Sequence, residues 1–369
     1  MSQSSRSSTD LLPPNPILDQ FYKNRDIRVP SQVQYQIVGA ALRHCNDPRA
    51  YPLSQMEEDI AALTTDLTTV GDIGFLVGRH AWFDAGPAVA RALMDKPARS
   101  GDEFAAYNLA RIMSTDHPHS NRNLQAAMKI FRELADKNHA GAQFKVGERM
   151  VKAHDIPGGM KMLEKSAANG HAEAAVYLGV FYKDGFKNWV SVDRVKAMKY
   201  LRQAHDAGNP EASYHISVMY SFGQHDPSGQ PDHWKSFAFL TIAANAGIPR
   251  AQHNLGICYM VPPALEIPYD PFLGVQYLSM AADQNLMPSL INLARLYLYG
   301  NLKGKVYPDY GVAENYLKRA FAITQNDRDK YFIYGPEVEG LMEDMRRLIK
   351  GEVLSMDPVV LGAKKAVDE

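Results

Sequence analysis

At 369 residues, 46% hydrophobic and 22% charged, the chain has the composition of a folded protein with room for two or three domains or one long repeat array. A net charge of −1 removes the basic excess that nucleic-acid binders usually carry, and no run approaches about 18 uninterrupted apolar residues, so a single membrane-spanning helix is not expected. Two cysteines, Cys45 and Cys258, lie far apart and outside any CxxC pair, which excludes a disulfide framework and fits a reducing intracellular compartment, cytoplasmic or mitochondrial.

Residues 1–30 open with MSQSSRSSTDLLPPNP, which is Ser-rich and has no apolar core of the secretory type. A disordered N-terminal tail is expected there. Residues 31–100 read as a helical cap followed by a degenerate repeat. SQVQYQIVGAALRHC predicts a helix with Ser31 as N-cap. LSQMEEDIAALTTDL predicts a second, with Ser54 and Glu57 as a capping box. DIGFLVGRHAWF (72–83) and the stretch around Ala90, eleven residues before Gly101, form the degenerate hairpin.

From 101 to 325 the chain repeats itself. Small residues at Ala105, Ala142, Ala174, Ala212, Ala251 and Ser289 share one frame. Offset +4 from each is apolar: Leu109, Val146, Leu178, Ile216, Leu255 and Leu293. Offset +5 is small: Ala110, Gly147, Gly179, Ser217, Gly256 and Ala294. Offset +8 is Met or Tyr. Offsets 0, +4 and +8 lie on one helical face, and a small +5 residue admits a neighbouring helix. This is helix A. After a loop of variable length a second periodic stretch follows, helix B, ending in a left-handed Gly or Asn such as Gly208, Gly247 or Asn285. One such hairpin cannot bury both apolar faces, whereas stacked hairpins can. Residues 326–355 predict a C-terminal capping helix, and 356–369 a disordered tail.

The pattern A-x3-LG-x2-Y, a loop, then KA-x2-Y-x2-A-x3-G, best seen in AAVYLGVFYKDG with KAMKYLRQAHDAG, resembles the Sel1-like repeat, a relative of the tetratricopeptide repeat, over roughly residues 90–325. The resemblance implies an all-α fold: a right-handed α-solenoid of about six Sel1-like helix-loop-helix repeats with helical caps. It also implies that A helices line a concave face. Candidate partner-binding residues on that face are Tyr107, Phe144, Val176, Tyr214 and His253 at offset +2, with Arg111, Glu148 and Arg295 at +6. Aromatic residues beside Arg and Glu are what a protein-binding groove uses, although packing between hairpins would use the same aromatics.

Candidate chemistry is sparse. His117 and His119 in the first A–B loop, and His225 with His233 in the fourth, lack the spacing and Cys partners of a recognised zinc site. No phosphate-cradling or nucleophile-elbow motif is present. His44 and Cys45 are adjacent, so on a helix they do not face each other. Arg194, Lys196, Lys199 and Arg202 read as a solvated stripe. No cofactor and no metal is expected. The favoured reading is a monomeric, non-catalytic scaffold that binds a peptide segment or helix of a partner protein, as Sel1-like proteins do in complex assembly and quality control. An RNA-binding repeat, and an enzyme with its site in the A–B loops, stand as alternatives.

Overall fold

In the computed structural model, which describes residues 11–23, 26–80, 85–115, 123–186, 189–225, 228–260, 269–301 and 306–351, the regular structure is helical. Among these residues the only strand-like pairs are two isolated bridges, Phe186 with Val190 and Asn301 with Val306. The helices fall into two compact units, Met1–His171 and Ala172–Glu369. In the first, α1 (Asn15–Lys23), α2 (Ser31–Asn46) and α3 (Leu53–Leu63) precede three hairpins. These are α4 (Leu67–His80) with α5 (Gly86–Arg99), α6 (Glu103–Ser114) with α7 (Leu124–Asp136), and α8 (Ala140–Lys152) with α9 (Ile156–Ala168). The second unit has four: α10 (Ala172–Asp184) with α11 (Arg194–Asp206), α12 (Pro210–Ser221) with α13 (His233–Asn245), α14 (Pro249–Met260) with α15 (Pro271–Asp283), and α16 (Met287–Tyr299) with α17 (Tyr310–Asn326). The short α18 (Arg328–Tyr331) and α19 (Gly335–Ile349) end it.

The B helices of the six repeats start from one chemical device. Asn123, Asp155, Asp193, Asp232, Asp270 and Asp309 are their N-caps. Each side chain accepts the backbone N–H three residues on, at 2.9 to 3.1 Å, filling one of the orphan positions of the first turn. Each cap residue also donates its own N–H to the carbonyl at +8 of the preceding A helix, at 2.8 to 3.0 Å: Met113, Met150, Tyr182, Tyr220, Tyr259 and Tyr297. The two ends of every A–B loop are thereby pinned, which lets loops of different length join the same hairpin.

At the far end of helix B the chain turns through left-handed residues. Gly208 and Gly247 have φ of 81° and 92°, and Asn285 has φ of 61°, tolerable because Asn enters this region more readily than other side chains.

Within a hairpin the small residues do what their spacing predicts. All six A anchors are fully buried. The +5 residue faces the large apolar residue four positions after the small residue of helix B. An ideal Cβ on Gly256 would meet Leu278 Cγ at 2.8 Å and the Gly274 carbonyl at 2.9 Å. In the second unit an aromatic pair closes each hairpin outside this contact: Tyr182 stacks on Tyr200, Tyr220 on Phe239, Tyr259 on Tyr277 and Tyr297 on Tyr316, with centroids 5.8 to 6.3 Å apart.

Three expectations near the ends are corrected. The tail expected over 1–30 is structured from residue 11: α1 lies within it, and Leu11, Leu12, Leu18, Ile27 and Val29 are buried in the core of the first unit. Residues 1–10, and the C-terminal tail 356–369, lie outside the described residues. Ser31 is not a cap; Pro30 holds that position and makes no side-chain bond. Ser54 and Glu57 form no capping box, because α3 starts at Leu53 behind Pro52 and the Glu57 carboxylate turns to Arg99 at 3.0 Å and Lys96 at 3.3 Å. The capping helix expected over 326–355 is resolved into α18 and α19 within those bounds.

Candidate functional site

Which A-helix positions does the core leave over? Offsets 0, +4 and +5 are buried against helix B, but +2 is consumed as well, by the first turn of the next repeat. The Tyr107 ring stacks on His139 at 4.6 Å, and the Phe144 ring stacks on His171 at 4.9 Å. His253 places Nδ1 2.8 Å from the hydroxyl of the next anchor, Ser289. Its burial pushes its pKa down to about 4. Offset +6 is accessible in every repeat: Arg111 is exposed, and Glu148, Val180, Val218, Ile257 and Arg295 are half-exposed.

In the first unit this face opens into a pocket of about 470 Å³ between α4, α6 and α8. Its apolar lining comes from Phe75, Gly78, Met94 and Ile112, and its charged lining from Arg79, Arg111 and Lys145. Asn108 is buried; it donates Nδ2 to the Phe104 carbonyl at 2.9 Å and accepts Arg111 Nη1 at Oδ1 at 3.2 Å. Lys145 Nζ lies over the Phe144 ring and 3.5 Å from Glu148. Burial raises the Glu148 carboxyl, but the hydrogen bond from Lys152 and the charges of Lys145 and Lys152 outweigh it and hold it below the ordinary carboxylate range.

Chemistry elsewhere is subdued. Burial pushes the Cys45 thiol up to about 11, which keeps it protonated and poorly nucleophilic at neutral pH. The neighbouring His44 ring points its Nδ1 at the Tyr51 carbonyl, 2.9 Å away. Among the described residues no group of three His, Cys, Asp or Glu could hold a metal ion. His117 and His119 lie outside the described residues. No single described helix is long and apolar enough to cross a membrane.

A family model of the Sel1 repeat matches residues 104–139, 140–171, 172–209, 210–248, 249–286 and 288–322, more than half of the chain. The chain belongs to the Sel1 repeat family. Its Sel1 fold is also that of a Sel1 repeat protein from Oxalobacter formigenes, 22% identical, with a TM-score of 0.57 over 66% of this chain and 97% of that one. A protective antigen of uropathogenic Escherichia coli with an SLR fold is 19% identical, with a TM-score of 0.56 over 83% of this chain and 67% of that one. Among curated proteins, the chitin synthase regulator SKT5 of Saccharomyces cerevisiae is 31% identical over 100 residues, 27% of this chain and 14% of that protein. Chitin synthase regulatory factor 2 of Schizosaccharomyces pombe is 24% identical over 229 residues, 60% of this chain and 44% of that protein. The chain thus spans less than half the length of either curated relative it matches.

Against this Sel1 geometry the expected partner-binding row is corrected in part. Phe144, Tyr214 and His253 are buried, Tyr214 to 2% exposure, and Tyr107 and Val176 are half-buried. The aromatics of offset +2 are therefore packing between successive Sel1 repeats. Arg295 is on the A-helix face as expected, but Glu337 of α19 forms an ion pair with it, and Tyr299 donates to Asp344 of the same helix at 2.7 Å. Arg111 and Glu148 stay accessible. Arg79 precedes the six-repeat frame and Lys145 lies at offset +3, outside the +2 and +6 rows; the signal in the sequence was a cationic residue near the A-helix face in each of three consecutive hairpins.

Proposed function

We propose that this Sel1 repeat protein is a non-catalytic adaptor that regulates or assembles a complex by holding a segment of a partner protein on the exposed positions of its A helices. The observation that carries the reading is the +6 row. Offsets +4 and +5 are buried in every repeat, yet +6 stays exposed or half-exposed in all six, and its last member, Arg295, is paired with Glu337 of α19. In the first unit its residues, Arg111 and Glu148, are charged, and in the second unit Val180, Val218 and Ile257 are apolar; each kind of surface is of use in holding a protein segment. The two relatives named as regulators of chitin synthase support control of an enzyme by binding. The test is affinity capture from cells of the source organism with mass-spectrometric readout. The native chain should retain a protein in near-stoichiometric amount that a chain carrying Arg111→Glu and Val180→Glu loses. Retention of the same proteins by both chains contradicts the proposal.

A further inference from the structure

The pocket of the first unit differs from the rest of the A-helix face in its charge. Arg79, Arg111 and Lys145 come from three successive A helices, α4, α6 and α8, and meet around one opening with no carboxylate among its lining residues. Asn108, itself buried and tied to the Phe104 carbonyl, holds the Arg111 guanidinium from one side, so the fork is oriented before anything binds. Arg79 pairs with no carboxylate among the described residues. Lys145 shares Glu148 with Lys152, two ammonium groups to one carboxylate, which leaves an uncompensated positive charge beside the opening.

We infer that this pocket receives a carboxylate side chain from an acidic, partly apolar segment of a protein partner. The inference rests on the adaptor reading and names the chemistry of its ligand. A guanidinium fork matches a carboxylate in a bidentate pair. The half-buried Phe75 ring gives the opening an apolar wall that suits an aliphatic or aromatic neighbour of that acid. A volume of about 470 Å³ holds one or two side chains, and a recessed opening admits a protruding chain more readily than a flat lipid surface.

The experiment uses the full chain and a displayed library of random 12-residue peptides, selected on the native protein and on the double variant Arg79→Ala, Arg111→Ala. Both arginines are exposed, so circular dichroism and the melting curve of the variant should match those of the native chain. Native selection should enrich Asp or Glu next to Leu, Phe or Met, and the variant should lose that enrichment. The best acidic peptide, measured by fluorescence polarisation, should bind the variant about tenfold or more weakly and its Gln-for-Glu version equally weakly. Raising salt should weaken the native complex. Selection of neutral or basic peptides, or acidic enrichment that survives in the variant, overturns the inference. So does binding of phosphatidylserine vesicles that the double variant loses while no acidic peptide is selected. Capture of a cellular partner that depends on Val180 but not on Arg79 and Arg111 would keep the adaptor reading and remove this pocket from it.

Discussion

Gly256 on α14 and Leu278 on α15 occupy what would be one space: a Cβ on the glycine would sit 2.8 Å from Leu278 Cγ. The contact is the centre of its hairpin, and Leu255 beside it is fully buried. Gly256→Leu should force the two helices apart and cost roughly 1–3 kcal/mol or more. Leu255→Ala should cost about 2–5 kcal/mol. Urea denaturation of the purified variants checks both, and midpoints unchanged from the native chain would contradict the hairpin geometry.

Tyr214 belongs to the same class of residue. It is 2% exposed and packs with Leu240, Ala243, Ala244, Ala251 and Leu255. Tyr214→Ala should destabilise the protein by about 3–5 kcal/mol, as buried aromatic truncations do. Loss of partner binding with an unchanged melting temperature would restore Tyr214 to the binding face.

His253 makes stability depend on acid. Its pKa is about 4 in the folded protein, lowered from 6.5 by burial. Below pH 6.5 the unfolded chain takes up a proton that the folded chain refuses, so stability falls as pH drops toward 4 and then levels for this group. The full loss is on the order of 3 kcal/mol. Stability measured from pH 7 to pH 4 should fall less steeply in His253→Gln than in the native chain. Equal slopes would show that His253 is not buried as a neutral ring.

Asp270 tests the loop clamp. Its carboxylate caps α15 through the Leu273 N–H at 3.1 Å. Asp270→Ala should cost about 1 kcal/mol and Asp270→Asn much less, since Asn caps equally well. Chemical denaturation resolves the difference; equal losses in the two variants would argue against the cap.

The fold was legible because small residues at fixed offsets dictate close helix contacts. Ala251, Leu255 and Gly256 say where helix B must lie before any coordinate is known. The capping signal was equally present: Asp193, Asp232 and Asp270 stand four residues before Ala197, Ser236 and Gly274. It is easily passed over when only apolar periodicity is followed. The binding face was less legible. Periodicity places Phe144 and His253 on one stripe of a helix, but it does not say that His171 and Ser289 of the following repeat will cover that stripe. Likewise nothing local in LLPPNPILDQFYK shows that Leu11 and Leu18 are buried, because α1 packs on α2, a separate helix that periodicity within the segment does not place.

The most direct measurement of the central claim is site-specific photo-crosslinking in cells. A photoreactive residue is placed in turn at Arg111, Val180 and Val218 on A helices, and at Lys165 and Lys199 on the exposed sides of B helices. The adaptor account predicts that one partner protein crosslinks from the A-helix positions and not from Lys165 or Lys199. Crosslinks that arise only from the B-helix positions, with none from Arg111, Val180 or Val218, would contradict it.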